Sequence, residues 1–216
     1  MNKLNNIAPY KGLYDDGDDD GRKRKLKKDV ERSKENSIFN EIDYGLSIEE
    51  SIVYLHGDIM LGNLFDLISK VRLILTNRPK EKALDPITLL LNSNGGDVYE
   101  ALGIIDYINT LSVPVNVVAR GRAMSAAAMI LCCGTGIRAA SLSTTIMVHE
   151  ASAEIMGKSA DIKANADHID ELEEDFYRMM AGKTKNNEEF WRKACRKDFY
   201  MSAEKAKELG LIDTVI

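Results

Sequence analysis

The alternation of two kinds of apolar periodicity constrains the fold of this chain most strongly. Four short runs are rich in β-forming residues: 52–56, 87–92, 113–119 and 146–149. Segments in which apolar residues recur every three or four positions lie between and after them: 61–75, 98–108 and 159–181. A last short helix is predicted to begin at Ser202 and to end at Gly210, before a β-rich terminus. This alternation is typical of an α/β fold, so residues 37–216 are predicted to form one α/β domain.

Residues 1–36 differ from the rest of the chain in their charge pattern. Five aspartates between positions 15 and 20 are followed directly by six basic residues between positions 22 and 28. Such a segment has too few apolar side chains to offset its ordering entropy by burial. We therefore predict a charged N-terminal arm that is mobile when alone, either as a solvated tail or as a docking or gating arm.

Charge and composition exclude several function classes for this protein. The whole chain has a formal charge of −5, and residues 37–216, with 19 basic and 26 acidic residues, have −7, which argues against a generally basic nucleic-acid binder. The longest apolar stretch, 123–133, is far shorter than the roughly 20 residues of a membrane helix. The N-terminus lacks the apolar run of roughly 7 to 15 residues in a secretory signal. Three cysteines form no even disulfide framework. We expect a cytoplasmic protein without nucleic-acid or membrane partners.

No cofactor or metal site is predicted. Two tripeptides, Gly157-Lys158-Ser159 and Gly182-Lys183-Thr184, resemble the end of a phosphate-binding loop, but the glycine five residues earlier is absent in both. The three histidines are scattered and there is no CxxC pair. Buried small side chains explain the adjacent cysteines at 132 and 133 better than a metal site does.

Four separate features could carry chemistry. Ser125 follows a β-rich run and opens an apolar helix, where nearby amides can stabilise an oxyanion, although a serine cap of a buried helix is commoner. Gly95 and Gly96 follow the 87–92 run and allow close backbone approach. His149 closes the last β-rich run, and Asp198 is an acid that could orient such a base. Each feature alone also has an ordinary structural interpretation.

In this order the four features resemble the ClpP family of serine peptidases. The family has an NSPGG-type turn, a G-x-A-x-S motif, a strand ending in M-I-H, and a long terminal D-x-F-M-S-A-x-E-A-x-E-x-G-L-I-D motif. The corresponding segments here are NSNGG (92–96), GRAMSAA (121–127), MVH (147–149) and DFYMSAEKAKELGLID (198–213). The resemblance covers about residues 40–216.

The resemblance implies a serine endopeptidase with a Ser-His-Asp triad. Ser125 would be the nucleophile, His149 the general base and then acid, and Asp198 the carboxylate that orients His149. The backbone N–H groups of Gly96 and Ala126 would form the oxyanion hole. The implied fold is the crotonase/ClpP-like ββα superhelix, with a protruding handle helix.

The family also implies an assembly. Two stacked heptameric rings would enclose the active sites, the handle at 153–159 and the helix after it would interlock the rings, and a separate AAA+ ATPase would unfold protein substrates. Two departures from the family concern the site itself. Asn94 stands where the turn usually has Pro, and Glu150-Ala151 stands where Gln-Pro usually follows the histidine.

Three alternatives to this function stay open. The first is a phage-type peptidase that matures capsid or scaffold proteins without an unfoldase. The second is a non-proteolytic acyl-CoA enzyme on the crotonase fold, which works through oxyanion amides and acidic residues. The third is an idle ring subunit that only modulates an active partner.

Overall fold

The computed structural model describes Lys28, Glu41 and residues 43–152 and 156–216. The predicted charged arm, residues 1–36, lies outside the described residues apart from Lys28, so its boundary remains a prediction. Residues 153–155, at the start of the predicted handle, also lie outside them.

Strands and helices alternate through the described part of the chain. The strands are β1 (Leu46–Ser47), β2 (Ile52–His56), β3 (Ile87–Ser93), β4 (Val115–Met124), β5 (Arg138–Ala140), β6 (Thr145–Val148), β7 (Phe199–Ser202) and β8 (Thr214–Val215). The helices are α1 (Asn63–Asn77), α2 (Val98–Thr110), α3 (Ala126–Cys132), α4 (Ser159–Lys183), α5 (Glu188–Ala194) and α6 (Ala203–Leu209). The predicted α/β class is confirmed.

One largely parallel sheet connects these strands. The order along it is β1-β2-β3-β4-β5-β8, and all neighbouring pairs are parallel except β1 with β2. A branch leaves this path at β4, which also pairs in parallel with β6, and β6 pairs antiparallel with β7. The carboxyl ends of β3, β4 and β6 therefore lie at the same edge.

The branch exists because β4 is long and bends. Its residues 117–119 pair with β5, whereas residues 122–124 pair with β6. Between these two stretches the register with β3 shifts, since Leu91 lies opposite Ala119 but Ser93 lies opposite Ala123. Gly121 takes a φ of +84° at the bend, a value that favours glycine. The bend directs the end of β4 towards β6.

Two helices frame the edge where these strands end. All seven residues of α3 are buried, so this short helix lies inside the core. Helix α4 has 25 residues and is about 37 Å long at 1.5 Å per residue. Its first half is almost entirely exposed, and only Tyr177 and Met180 in its second half are fully buried. Helix α4 therefore protrudes from the body, as predicted for a handle.

Local signals in the sequence located the ends of α6 correctly. The Ser202 side chain accepts the N–H of Lys205 at 3.2 Å, and Gly210 ends the helix with a φ of +86°. The strand predicted at 113–119 is longer, reaching Met124. None of the helices within the described ranges combines the length and apolar character needed to cross a lipid bilayer.

Candidate active site

Strand pairing brings Ser125 and His149 together. Met124 lies opposite Met147 in the parallel pairing of β4 with β6, and Ser125 and His149 immediately follow these strands. The Ser125 N–H donates to the carbonyl of Met147 at 2.8 Å, which fixes the start of the turn. Ser125 Oγ lies 2.8 Å from His149 Nε2, a hydrogen-bond distance. The imidazole is therefore positioned to accept the hydroxyl proton.

The backbone of Ser125 is strained. Its φ of +52° and ψ of −125° lie outside the regions that residues with a side chain favour. Ser51 is the one other non-glycine residue in the described ranges with positive φ. Such conformations cost of order 1–3 kcal/mol and persist where surrounding structure imposes them. Here the strain produces the sharp turn from β4 into α3 that presents the hydroxyl at the sheet edge.

Asp198 reaches the same place through β7. Phe199 pairs with Val148 in the antiparallel ladder, so the residue before Phe199 lies beside the residue after Val148. Asp198 Oδ1 is 3.7 Å from His149 Nδ1, which is close but beyond direct hydrogen-bond distance. The Asp198 side chain is 55% exposed, and its Oδ2 lies 3.5 Å from Tyr200 Oη. The three predicted side chains thus meet, with the carboxylate held more loosely.

The two glycines after β3 allow its turn to pack directly against Ser125. A Cβ on Gly95 would lie 2.6 Å from the Met124 carbonyl oxygen and 2.7 Å from Ser125 Cβ. Gly96 has a φ of +143°, and a Cβ there would lie 2.1 Å from the carbonyl oxygen of Ile59. A side chain at either position would push the turn away from its neighbours, which for Gly95 include Ser125.

The Gly96 N–H points away from Ile59, its partner in an isolated β-bridge. Ile59 forms a parallel bridge with Gly96 by donating to the Gly95 carbonyl and accepting the Asp97 N–H, both at 2.8 Å. In a parallel bridge of this kind the N–H of Gly96 points away from Ile59. Gly96 also lines the cavity that contains Ser125. Ala126 is the first residue of α3, so its N–H has no acceptor within the helix. Both predicted oxyanion amides border Ser125.

Asn94, which stands where this turn usually has proline, forms side-chain hydrogen bonds on both sides. Its Oδ1 accepts from Arg122 Nη1 at 3.0 Å, and its Nδ2 donates to Asp58 Oδ1 at 3.3 Å. Asn94 lacks the fixed φ that proline would give this turn. These hydrogen bonds instead connect Asn94 to β4 and to the segment after β2.

A cavity of about 540 Å³ adjoins the Ser125–His149 pair. It lies between α2, α3, α4 and the segment after β6. Its apolar lining comes from Val98, Met129, Ile169, Leu172 and Phe176, and its polar lining includes Tyr99, Asn165, His168, Glu150 and Glu173. A larger hollow of about 740 Å³, between Tyr54 and Lys70, contains none of the predicted site residues.

Glu173 ties α4 to the segment that follows His149. Its carboxylate accepts the N–H of Ala151 at 2.7 Å. Burial raises the pKa of Glu173, and the nearby charges of Glu150, Asp170 and Glu174 raise it further, against the lowering effect of the Ala151 N–H. Sequence reasoning missed this contact, since nothing local links residues 151 and 173.

The cysteine thiols offer no competing nucleophile. Burial raises the pKa of the Cys132 thiol to about 12, of Cys133 to about 11 and of Cys195 to about 12, so all three thiols stay protonated and unreactive at neutral pH. Within the described ranges no cluster of His, Cys, Asp or Glu side chains could hold a metal ion. The one site with activated-nucleophile geometry is Ser125 with His149, among the residues described.

Comparison with known proteins gives consistent matches. The family model described as Clp protease matches residues 25–216. The chain is 33% identical over 174 residues to the ATP-dependent Clp protease proteolytic subunit 2 of Synechococcus sp. (strain CC9605), which covers 80% of this chain and 86% of the relative. Subunit 1 of Prochlorococcus marinus (strain NATL2A) is 30% identical over 173 residues, with the same coverage. The proteolytic subunit of Bacteroides thetaiotaomicron is 34% identical over 139 residues, covering 62% of this chain and 63% of the relative.

Proposed function

This chain belongs to the Clp protease family of serine peptidases, and from that premise we propose that it is an endopeptidase acting on unfolded or partner-delivered proteins. The single observation that carries the proposal is the 2.8 Å separation between Ser125 Oγ and His149 Nε2 beside an open cavity. Acyl-CoA chemistry on a related fold needs no such pair, so this contact favours peptide hydrolysis.

In the proposed reaction Ser125 Oγ attacks the carbonyl carbon of the scissile peptide bond. His149 Nε2 takes the hydroxyl proton as the bond forms and then delivers it to the leaving amine. This step leaves an acyl-enzyme on Ser125. A water molecule, deprotonated by the same imidazole, then attacks the ester carbon. The bond from that carbon to Ser125 Oγ breaks, the imidazolium returns its proton to Oγ, and the carboxylic acid product leaves.

Asp198 is the proposed orienting carboxylate. A carboxylate beside Nδ1 favours the tautomer that leaves Nε2 free to accept, and it stabilises the imidazolium that forms. The 3.7 Å separation is longer than a hydrogen bond. Catalytic hydrogen bonds are often long without substrate and tighten in the reacting complex. We propose that Asp198 closes on His149 when a peptide occupies the cavity.

The proposed oxyanion hole uses the amides of Gly96 and Ala126. Both border Ser125, and the close approach of the glycine turn to the Ser125 turn supports their joint action on one oxygen. Amides held in place by the surrounding backbone need no reorganisation as negative charge develops on the substrate oxygen.

Assembly and partners follow from the relatives and from the sequence. The relatives' names contain the words "ATP-dependent" and "subunit". This chain has no phosphate-binding loop of its own, so we propose a homo-oligomer of two stacked heptameric rings that works in the cytoplasm with a separate AAA+ ATPase. Enclosure would keep an unspecific peptidase from digesting folded cell proteins. The three free thiols are compatible with a reducing compartment.

The test is active-site labelling measured beside assembled mass. A fluorophosphonate probe is expected to label the wild-type protein once per chain and to leave Ser125→Ala unlabelled. Ser69→Ala, an exposed serine on α1 whose hydroxyl bonds only the Phe65 carbonyl, is the matched control and is expected to label normally. Labelling that persists in Ser125→Ala would overturn the assignment of Ser125 as the nucleophile. A monomeric mass in solution would overturn the proposed ring assembly.

A further inference from the structure

Three polar side chains form a hydrogen-bonded chain across the turn that contains Gly96. Arg122 Nη1 donates to Asn94 Oδ1 at 3.0 Å, and Asn94 Nδ2 donates to Asp58 Oδ1 at 3.3 Å. We call this arrangement the Arg122–Asn94–Asp58 chain. None of its three side chains lines the cavity that contains Ser125, and the proposed peptide-bond chemistry uses none of them.

The two ends of the chain belong to the two backbone segments that flank Gly96. Arg122 lies on β4, three residues before Ser125, where β4 pairs with β6. Asp58 directly precedes Ile59, which forms the β-bridge with Gly96. The chain therefore connects the strand that ends at the candidate nucleophile with the segment that holds the candidate oxyanion amide.

The charges at the two ends fix the orientation of the amide between them. A guanidinium only donates hydrogen bonds and an ionised carboxylate only accepts them. If the Asn94 amide were turned over, its NH₂ group would face Arg122 and its oxygen would face Asp58, so both bonds would be lost. In the observed orientation both are charge-assisted hydrogen bonds, which are stronger than neutral ones. Within the described ranges this amide is the one side-chain hydrogen-bond partner of both charges.

The backbone of this turn needs such a constraint. Gly95 and Gly96 have φ values of +96° and +143°, and glycine has more conformational freedom than any other residue. Asn94, directly before them, lacks the fixed φ of a proline. The bridge to Ile59 holds one side of the turn. The Asn94 side chain adds a tie to β4, the strand that leads to Ser125, and so restricts the turn on its other side.

We propose that the Arg122–Asn94–Asp58 chain positions the Gly96 N–H for the oxyanion of the reacting peptide. This inference rests on the proposed function, because it assigns positioning residues for that same reaction. An oxyanion donor is effective when it is held in place before negative charge develops. Loss of the chain loosens the donor without removing it. The effect on kcat is therefore smaller than the roughly 10²- to 10³-fold loss for a deleted oxyanion donor.

The test compares substrate turnover with the binding of a peptide aldehyde. The aldehyde carbon bonds to Ser125 Oγ, the hydroxyl proton passes to His149, and the aldehyde oxygen becomes the oxyanion of a tetrahedral adduct. Asn94→Ala in the full-length, assembled protein is expected to lower kcat on a fluorogenic peptide by about three- to thirtyfold. The inhibition constant of the aldehyde should rise by a similar factor, while KM changes by less than about twofold, because the chain acts on the tetrahedral state and not on the bound substrate.

A rescue experiment distinguishes positioning from general loosening. Asn94→Asp sets two carboxylates beside each other and should also lower kcat. Adding Asp58→Asn exchanges the amide and the carboxylate, so that a donor again faces an acceptor at both contacts. This double variant is expected to return kcat and the aldehyde inhibition constant to within about threefold of wild type.

Matched controls are available on the same elements. Arg122→Ala is expected to give the same selective loss as Asn94→Ala, and it decides the question if Asn94→Ala fails to assemble. Arg120→Ala, two residues earlier on β4 with one contact to Ser141 Oγ at 3.3 Å, should leave kcat unchanged. Asn77→Ala, an exposed change on α1, should do the same.

Three results would overturn the proposal. The first is a kcat and an aldehyde inhibition constant in Asn94→Ala and Arg122→Ala that equal those of the controls. The second is a rise in KM with an unchanged kcat, and the third is a double variant that recovers nothing. Failure of the proposed function would look different, since wild-type protein would then cleave no peptide and carry no label on Ser125.

Discussion

The nearest oxygen of Asp198 stands 3.7 Å from His149 Nδ1, while the other imidazole nitrogen is only 2.8 Å from Ser125 Oγ. The imidazole is thus engaged directly with the Ser125 hydroxyl and only loosely with the Asp198 carboxylate. The half-exposed Asp198 side chain is also screened by solvent in a way that a buried carboxylate would not be.

The exposure of Asp198 predicts a smaller effect of mutation there than at a buried triad aspartate, because solvent screens the carboxylate even after it closes on His149. Asp198→Asn should lower kcat on a fluorogenic peptide by about 10- to 100-fold, less than the roughly 10⁴-fold loss for a buried, directly bonded triad aspartate. Asp106→Asn, an exposed change on α2, is the control and should leave kcat unchanged. An undiminished kcat in Asp198→Asn would remove Asp198 from the mechanism.

Gly96→Ala should damage both the fold and catalysis. The new Cβ would lie 2.1 Å from the Ile59 carbonyl oxygen and would have to tolerate a φ of +143°. We expect a loss of stability of about 1–3 kcal/mol in urea unfolding and a loss in kcat of about 10²-fold or more, as for a displaced oxyanion donor.

Gly182→Ala provides the matching helical control. Nothing lies within 4 Å of a Cβ at this position in the last turn of α4, and its helical backbone accepts alanine. This variant should gain about 0.5–1 kcal/mol without a change in kcat. Equal destabilisation by both substitutions would mean that the Gly96 contact is not the cause.

The contributions of the adjacent residues Glu173 and Glu174 to folding stability should change in opposite directions with pH. Burial raises the pKa of Glu173, so its ionised form costs folding stability above that pKa, and the cost is relieved as pH falls through it. Glu173→Gln removes the charge but keeps an acceptor for the Ala151 N–H. Its melting temperature should exceed that of wild type by about 1–3 °C at pH 8, with a gain that shrinks towards pH 4.

Glu174 is the comparison. The hydrogen bond from Arg192, with Nη2 to Oε2 at 2.7 Å, lowers the pKa of Glu174, so its ionised form adds stability that is lost as pH falls through the folded value. Glu174→Gln should therefore lower the melting temperature at pH 8 and lose its effect in acid. A change in melting temperature of the same sign in Glu173→Gln and Glu174→Gln at pH 8 would contradict the opposite directions of the two pKa shifts.

Arg138 should be essential for stability rather than for catalysis. Its guanidinium pairs with Asp213, with Nη2 to Oδ1 at 2.5 Å, and donates to the carbonyls of Lys183 at 2.9 Å and Gly210 at 3.0 Å. Arg138→Met would leave these acceptors without a partner, which should cost about 2–4 kcal/mol in urea unfolding. Arg120→Met, with one exposed contact to Ser141 at 3.3 Å, should cost far less. Comparable losses would show that the network is not responsible.

Periodicity predicted the main elements because those elements are long enough to show a repeat of apolar residues. Helices α1, α2 and α4 and strand β3 all follow it, whereas β1 and β5, of two and three residues, carry no detectable period. The far end of β4 was missed because the residues at its bend, 120–122, are all exposed and break the alternation that marks a half-buried strand.

The meeting of Ser125, His149 and Asp198 was predictable only from their order and flanking motifs. No local pattern reveals that a bend in β4 brings β6 alongside it, which is what sets the 2.8 Å contact. Tyr99 and His168 gave no signal in the sequence, since a contact between two helices 69 positions apart depends on how α4 packs against the body.

The branch of the sheet at β4 also places the candidate machinery on two strand pairs. His149 and Asp198 both belong to the antiparallel β6–β7 pair, whereas Ser125 belongs to β4, which is paired with both β3 and β6. Ile146 and Val148 of β6 are fully buried in the core, so the packing of the domain itself sets the separation between imidazole and hydroxyl. A change in that separation would therefore require the core to repack.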